Sequence, residues 1–184
     1  VRAFVAVDLD PELKSAVGDL IRRLEATRAA VRWTRAGGFH LTLKFLGEID
    51  EEQAGRVKSV LSEVARRHGP FALRLEGTGV FPGPRNPRVL WIGVSAEPGL
   101  AELQAELERA LEGVGFPPEA RPFRPHLTLG RVKGRDRLDR ALARLDERGQ
   151  DDFGAMTVRK VALFESRLCP EGAEYRIVHE AELG

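Results

Sequence analysis

The chain has 184 residues, 42% of them hydrophobic and 31% charged, with 29 basic and 28 acidic side chains and a formal net charge of +1. That balance fits a folded domain with an ample core and excludes a disordered or fibrous chain. A single cysteine, Cys169, leaves no internal disulfide and no thiolate zinc cluster. With no apolar run of membrane-spanning length, and an apolar stretch before Asp8 too short for a signal peptide, the expectation is a cytoplasmic protein.

In chain order, Arg2 to Asp8 reads as a strand. Asp10-Pro11 then offers an N-cap followed by proline at the first helical position, and Leu13, Ala16, Val17, Leu20, Ile21 and Leu24 recur at helical spacing to about Thr27. Val31 to Thr34 predicts a short strand, Gly37-Gly38 a turn, and Phe39 to Leu46 a strand ended by Gly47. A second helix fits Glu51 to Arg67, and Phe71, Leu73 and Leu75 alternate as a strand does. A loop rich in Pro and Gly, Phe81 to Pro87, marks the boundary between two halves.

The second half repeats the first. Val89 to Val94 is a strand, Pro98 opens a helix carrying Leu100, Leu103, Leu107, Ala110 and Leu111, and a Gly-Phe-Pro-Pro break precedes another strand. Leu138, Ala141, Leu142 and Leu145 form the counterpart of the second helix, and Val158 to Phe164 and Tyr175 to Val178 supply further strands. Pro11 and Pro98 lie 87 residues apart and His40 and His126 lie 86 apart, so one deletion brings the two units into register. The pattern predicts one bilobal domain over 1–184, duplicated at approximately 1–86 and 87–184, with its copies facing each other across a two-fold axis.

Within that repeat, His40-Leu41-Thr42-Leu43 recurs as His126-Leu127-Thr128-Leu129. Alternate residues of a strand share a face, so each copy sets an imidazole beside a hydroxyl while its leucines point the other way. Displacement at phosphorus runs roughly in line, which calls for a base on one flank and an acid on the other. Histidine serves either role near neutral pH, and the threonine hydroxyls can donate to nonbridging phosphate oxygens. Such chemistry needs no metal. From Arg121 to Arg148 nine basic residues stand against four acidic ones. That suits an anionic ligand and equally a solvated arginine-rich face.

Two His-x-Thr-x motifs half a chain apart resemble the 2H phosphoesterase superfamily. Arg2-Ala3-Phe4-Val5-Ala6-Val7, His40 to Gly47, Pro87 to Trp91 and Pro125 to Arg131 are similar to the bacterial and archaeal RNA 2′,3′-cyclic phosphodiesterases, also called 2′-5′ RNA ligases. The resemblance implies an α+β fold of two lobes, with two antiparallel sheets lining a central cleft and helices packed on the outer faces. It implies hydrolysis of RNA 2′,3′-cyclic phosphate ends to 2′-phosphate without cofactor or metal, and a reversible, ATP-independent 2′-5′ ligation as a side activity. The implied partners are RNA ends or nucleotides carrying that cyclic phosphate, with no membrane and no obligate protein partner. His40 is the implied acid at O3′ and His126 the base that activates water, with Thr42 and Thr128 on the phosphate.

By the same resemblance, Phe45 and Arg131, each five residues after its histidine, flank the nucleobase. An odd offset puts both on the core face of a regular strand, so this placement requires a bulge, a twist or a strand end; without one Phe45 is core. Lys44 shares parity with His40 and Thr42 and is read either as a phosphate neutraliser or as a solvated lysine. His68, at a helix end, reads as a cap for carbonyls, and His179 has no threonine partner. Asp8-Leu9-Asp10 looks like half a metal site, but Asp10 is better used as a cap. The competing functions are a noncatalytic module that binds RNA ends or nucleotides, and a 2H phosphodiesterase acting on another cyclic phosphate or on a 2′-5′ oligonucleotide.

Overall fold

The computed structural model describes residues 1–184. Nine strands and four α-helices follow in the order β1 (Arg2–Asp8), α1 (Pro11–Glu25), β2 (Val31–Trp33), β3 (His40–Glu48), α2 (Glu51–Arg66), β4 (Phe71–Phe81), β5 (Val89–Ser95), α3 (Gly99–Glu112), β6 (His126–Val132), α4 (Leu138–Asp146), β7 (Asp152–Val158), β8 (Lys160–Cys169) and β9 (Gly172–Glu182). The strands form two antiparallel sheets, a four-stranded one in the order β3-β1-β8-β9 and a five-stranded one in the order β2-β6-β5-β4-β7. The fold is the α+β arrangement expected. No helix is long and apolar enough to cross a membrane.

Each sheet draws on both halves of the sequence. The strand β4, from the first half, sits between β5 and β7 in the five-stranded sheet, while β8 and β9 return to extend the sheet beside β1 in the other. Sequence repeat and spatial lobe therefore do not share a boundary. The helices cover the outer faces: α2 packs on β8 and β9, α1 on β7 and α4, and α3 touches β3, β4 and α2. Their apolar stripes explain this, since Leu13, Val17, Leu20, Ile21 and Leu24 of α1 and Val57, Val60, Leu61, Val64 and Ala65 of α2 are all buried.

Several local expectations change. Asp10 occupies the N-cap position of α1 in extended conformation, but its side chain makes no capping bond, and Pro11 alone preorganises the first turn. The full capping box belongs to α2, where Asp50 accepts from the Gln53 N–H at 2.8 Å and Gln53 accepts from the Asp50 N–H at 2.9 Å. The helix α1 ends at Glu25 rather than Thr27, where the Thr27 hydroxyl turns back to the Leu24 carbonyl at 2.6 Å. Gly47 does not end its strand, which runs on to Glu48. The expected strand Val158 to Phe164 is two strands that break at Arg159, and β4 extends to Phe81.

The main core joins Val5, Leu41, Leu61, Leu73, Leu90, Leu103, Leu127 and their neighbours between sheets and helices. A separate cluster of Phe4, Ala6, Ala162 and Phe164 lies on the other face of β1 and β8. Strand β1 is thus buried on both faces, which is why its sequence is apolar throughout rather than alternating.

Candidate active site

The two motif strands are built alike. Strand β3 pairs with β1 so that Ala6 lies opposite Thr42 and Val5 opposite Lys44, which leaves Leu43 as a bulge. Strand β6 pairs with β5 so that Trp91 lies opposite Thr128 and Leu90 opposite Gly130, which leaves Leu129 as a bulge. In both copies the extra residue is the third after the histidine, and it is buried. A bulge inverts the side-chain parity that follows it. Phe45 is consequently 70% exposed instead of core, and Arg131 is exposed as well.

His40, Thr42, Phe45, His126, Thr128 and Arg131 all line one cleft of about 650 Å³ between the sheets. Lys44 borders the same cleft, but after the parity change its ammonium is engaged by the protein itself. Lys44 turns inward, 6% exposed, and its Nζ meets the Glu108 carboxylate of α3 at 2.5 Å and the Pro117 carbonyl at 2.6 Å. The phosphate and solvent readings of Lys44 both give way to a buried ion pair that ties β3 to α3.

The two histidines sit in different surroundings. The His40 ring stacks on Phe4 at 4.7 Å and Phe164 at 5.1 Å, with Tyr175 edge-on at 5.0 Å. Its Nδ1 is buried without a well-formed hydrogen bond. Burial lowers its pKa to about 4, against an upward pull from Asp8 that Lys14 partly offsets and a further upward pull from the Gly37 backbone. His40 is therefore a neutral imidazole at pH 7. His126 has Phe81 edge-on at 4.9 Å, and its Nδ1 lies 2.7 Å from the Arg124 carbonyl. A carbonyl only accepts, so Nδ1 carries the proton and a neutral His126 keeps its lone pair on Nε2.

Arg121 and Arg124 of the basic stretch also line the cleft, as do Arg2, Ser166 and Tyr175, which were not singled out from sequence as site residues. The signal for the aromatic seat was present in β1, because a strand apolar on both faces has something to bury on its second face. The remaining candidates lie elsewhere. His68 pairs with Glu106 of α3 instead of capping carbonyls, and His179 Nε2 is 3.0 Å from the Ser62 hydroxyl; Asp8, by contrast, lies opposite His40 in the β1–β3 register and pairs with Lys14 at 2.9 Å.

Comparison with solved structures agrees with this architecture. The crystal structure of TT0787 from Thermus thermophilus superposes with a TM-score of 0.83 at 30% identity, covering 100% of this chain and 98% of that one. E. coli LigT in its apo form gives 0.78 at 25% identity, covering 99% and 96%, and LigT has also been solved with 3′-AMP. The fold is that of the 2H phosphoesterases. The sequence model of the 2′-5′ RNA ligase superfamily matches residues 11–168, and the chain belongs to that family as an enzyme. Similar proteins include the RNA 2′,3′-cyclic phosphodiesterases of Methanothermobacter thermautotrophicus, 38% identical over 95% of both chains, and of Aquifex aeolicus, 36% identical over 100% of this chain and 98% of that one.

Proposed function

We propose that the protein hydrolyses 2′,3′-cyclic phosphate ends of RNA to 2′-phosphates, with His40 and His126 as the acid–base pair. The observation that carries this reading is that both histidines and both threonines line a single cleft in an enzyme of this family. Water attacks phosphorus and gives its proton to His126 Nε2, the P–O3′ bond breaks, and O3′ takes a proton from His40. Thr42 and Thr128 donate to the nonbridging oxygens, and the arginines of the cleft attract the polyanion. Phe45 and Arg131 stand at the rim, where a ring and a guanidinium can hold a base without selecting it. A 5′-hydroxyl in place of water gives the 2′-5′ linkage, and the greater concentration of water makes hydrolysis dominant.

His40 is neutral in the empty cleft, so in the acid role its proton arrives with the anionic substrate. The depressed pKa of His40 favours a second reading with exchanged roles. Neutral His40 would then accept the proton of water, and His126, oriented through Nδ1 by the Arg124 carbonyl, would donate from Nε2. Calorimetry separates the two. In buffers of different ionisation enthalpy, a nucleoside 2′,3′-cyclic phosphate binding to inactive His126→Ala protein at pH 6.5 takes up close to one proton if His40 is the acid, and none if the roles are exchanged. The activity itself is tested by chromatography of a nucleoside 2′,3′-cyclic phosphate incubated with the protein in EDTA. Release of the 2′-monophosphate is expected; binding without turnover would mean a noncatalytic module, and turnover only of another cyclic phosphate or a 2′-5′ oligonucleotide would change the substrate.

A further inference from the structure

A second depression, of about 400 Å³, opens at the end of β6 remote from His126. One wall is the loop between β4 and β5, with Arg85 and Arg88; the other is the segment after β6, with Lys133 and Arg135. None of these four cations is buried, and none pairs with a carboxylate of the chain. The one acid in the lining is Asp139. Other exposed cations do pair with a neighbouring acid, as in Lys14 with Asp8, Lys160 with Glu180, and Arg167 and Arg176 with Glu165. Four unneutralised cations around one groove leave a local field that favours a polyanion.

The groove is also preformed. The Arg88 N–H donates to the Phe81 carbonyl at 2.7 Å, and the Val132 N–H donates to the Arg88 carbonyl at 2.9 Å, so the walls are stitched together. The Lys133 and Gly134 N–H groups both donate to the Ala30 carbonyl, at 2.8 and 3.2 Å. The groove neighbours the cleft along the chain, since Arg131 lines the cleft and the next two residues, Val132 and Lys133, line the groove. No aromatic side chain lines it. A site of cations without stacking platforms engages phosphates rather than bases.

We propose that this groove binds the sugar–phosphate backbone of single-stranded RNA whose 3′ end occupies the cleft, which makes oligonucleotides better substrates than mononucleotides, independent of sequence. Only the position of the RNA end rests on the function proposed above; affinity for the backbone does not. The test is fluorescence anisotropy of a 5′-labelled single-stranded oligoribonucleotide with a 3′-phosphate, across a salt series, with the Lys133→Gln/Arg135→Gln protein. Its Kd should rise tenfold or more at about 50 mM salt, and the log–log salt slope should fall by about 1.4, two contacts at about 0.7 each. The KM for a nucleoside 2′,3′-cyclic phosphate should stay unchanged. An unchanged Kd overturns the proposal, as does an equal loss in the control Lys58→Gln/Arg66→Gln, which removes the same charge from α2. A matching rise in the mononucleotide KM also overturns it, because the groove would then be acting on the cleft. If thermal denaturation shows the first variant misfolded, Arg85→Gln/Arg88→Gln on the opposite wall decides by the same criteria. Absence of turnover by wild type with RNA binding intact would refute the proposed hydrolysis and leave the groove standing.

Discussion

Strands β3 and β6 carry the same tetrapeptide and the same bulge, yet they give their histidines opposite environments. His40 sits on an aromatic seat that removes water and disfavours its charge. His126 is held by a carbonyl that fixes its proton on Nδ1. A near-symmetric backbone thus supplies placement, and the strands behind each motif supply difference. One covalent identity in two unlike settings, one ring buried among aromatics and the other hydrogen-bonded at Nδ1, is what the proposed division into acid and base draws on. The contrast continues one residue past the bulge. Lys44 is clamped to Glu108 in one half, whereas Gly130 in the other lies so close to β2 that a Cβ would meet Val31 and Trp33 at 2.7 and 2.8 Å.

Removing either histidine should break the comparison outright. His40→Ala or His126→Ala is expected to lower kcat/KM on a cyclic phosphate by about 10²–10⁴-fold, with circular dichroism unchanged; full activity in either variant would sink the paired mechanism. Lys44→Met should strand Glu108 and cost about 3–5 kcal/mol of unfolding free energy in urea titrations, an effect that Glu108→Leu in the same chain should largely relieve. At the matching position of the other half, Gly130→Ala should cost about 1–3 kcal/mol by overpacking, and equal effects of the two kinds would contradict the difference in contacts. Thr42→Ala and Thr128→Ala should each reduce kcat/KM by roughly 10–100-fold, the worth of a hydrogen bond to a charged group.

The smallest expected effect sharpens the electrostatic difference. In the unfolded chain an imidazole takes its proton near pH 6.5, whereas folded His40 takes one only near pH 4. The unfolded state binds more protons between those values, so stability rises with pH across that window and is lost on acidification through it. The share due to His40 is on the order of 1–3 kcal/mol, measurable as the difference in pH slope between wild type and His40→Asn. An identical slope would mean that the aromatic seat does not exclude charge.

The histidines, the threonines and most helices could be read from the chain because they leave local periodic signals. The bulges could not, since Leu43 and Leu129 look like any core residue of an alternating strand. Placing Phe45 and Arg131 in the cleft required a parity change that only pairing with β1 and β5 reveals. Lys44 was misread for the same reason, and its partner Glu108 lies 64 positions away. Strand β7 escaped because Asp152-Phe153-Gly154-Ala155-Met156-Thr157-Val158 mixes glycine, alanine and polar residues with little alternation. It is defined by its ladder with β4 rather than by its own sequence. The carbonyl that orients His126 is a backbone atom, which no residue type announces.

The exchange of β4 for β8 and β9 between the sheets also governs how the molecule comes apart. A cut at the sequence boundary would leave residues 1–86 with β4 detached from β5 and β7, and with β1 lacking β8. Neither fragment keeps a complete sheet, so heat should melt the chain in one cooperative transition with no half-folded species. The separation of the two histidines is then as durable as the whole fold, because neither wall of the cleft can unravel while the other stands.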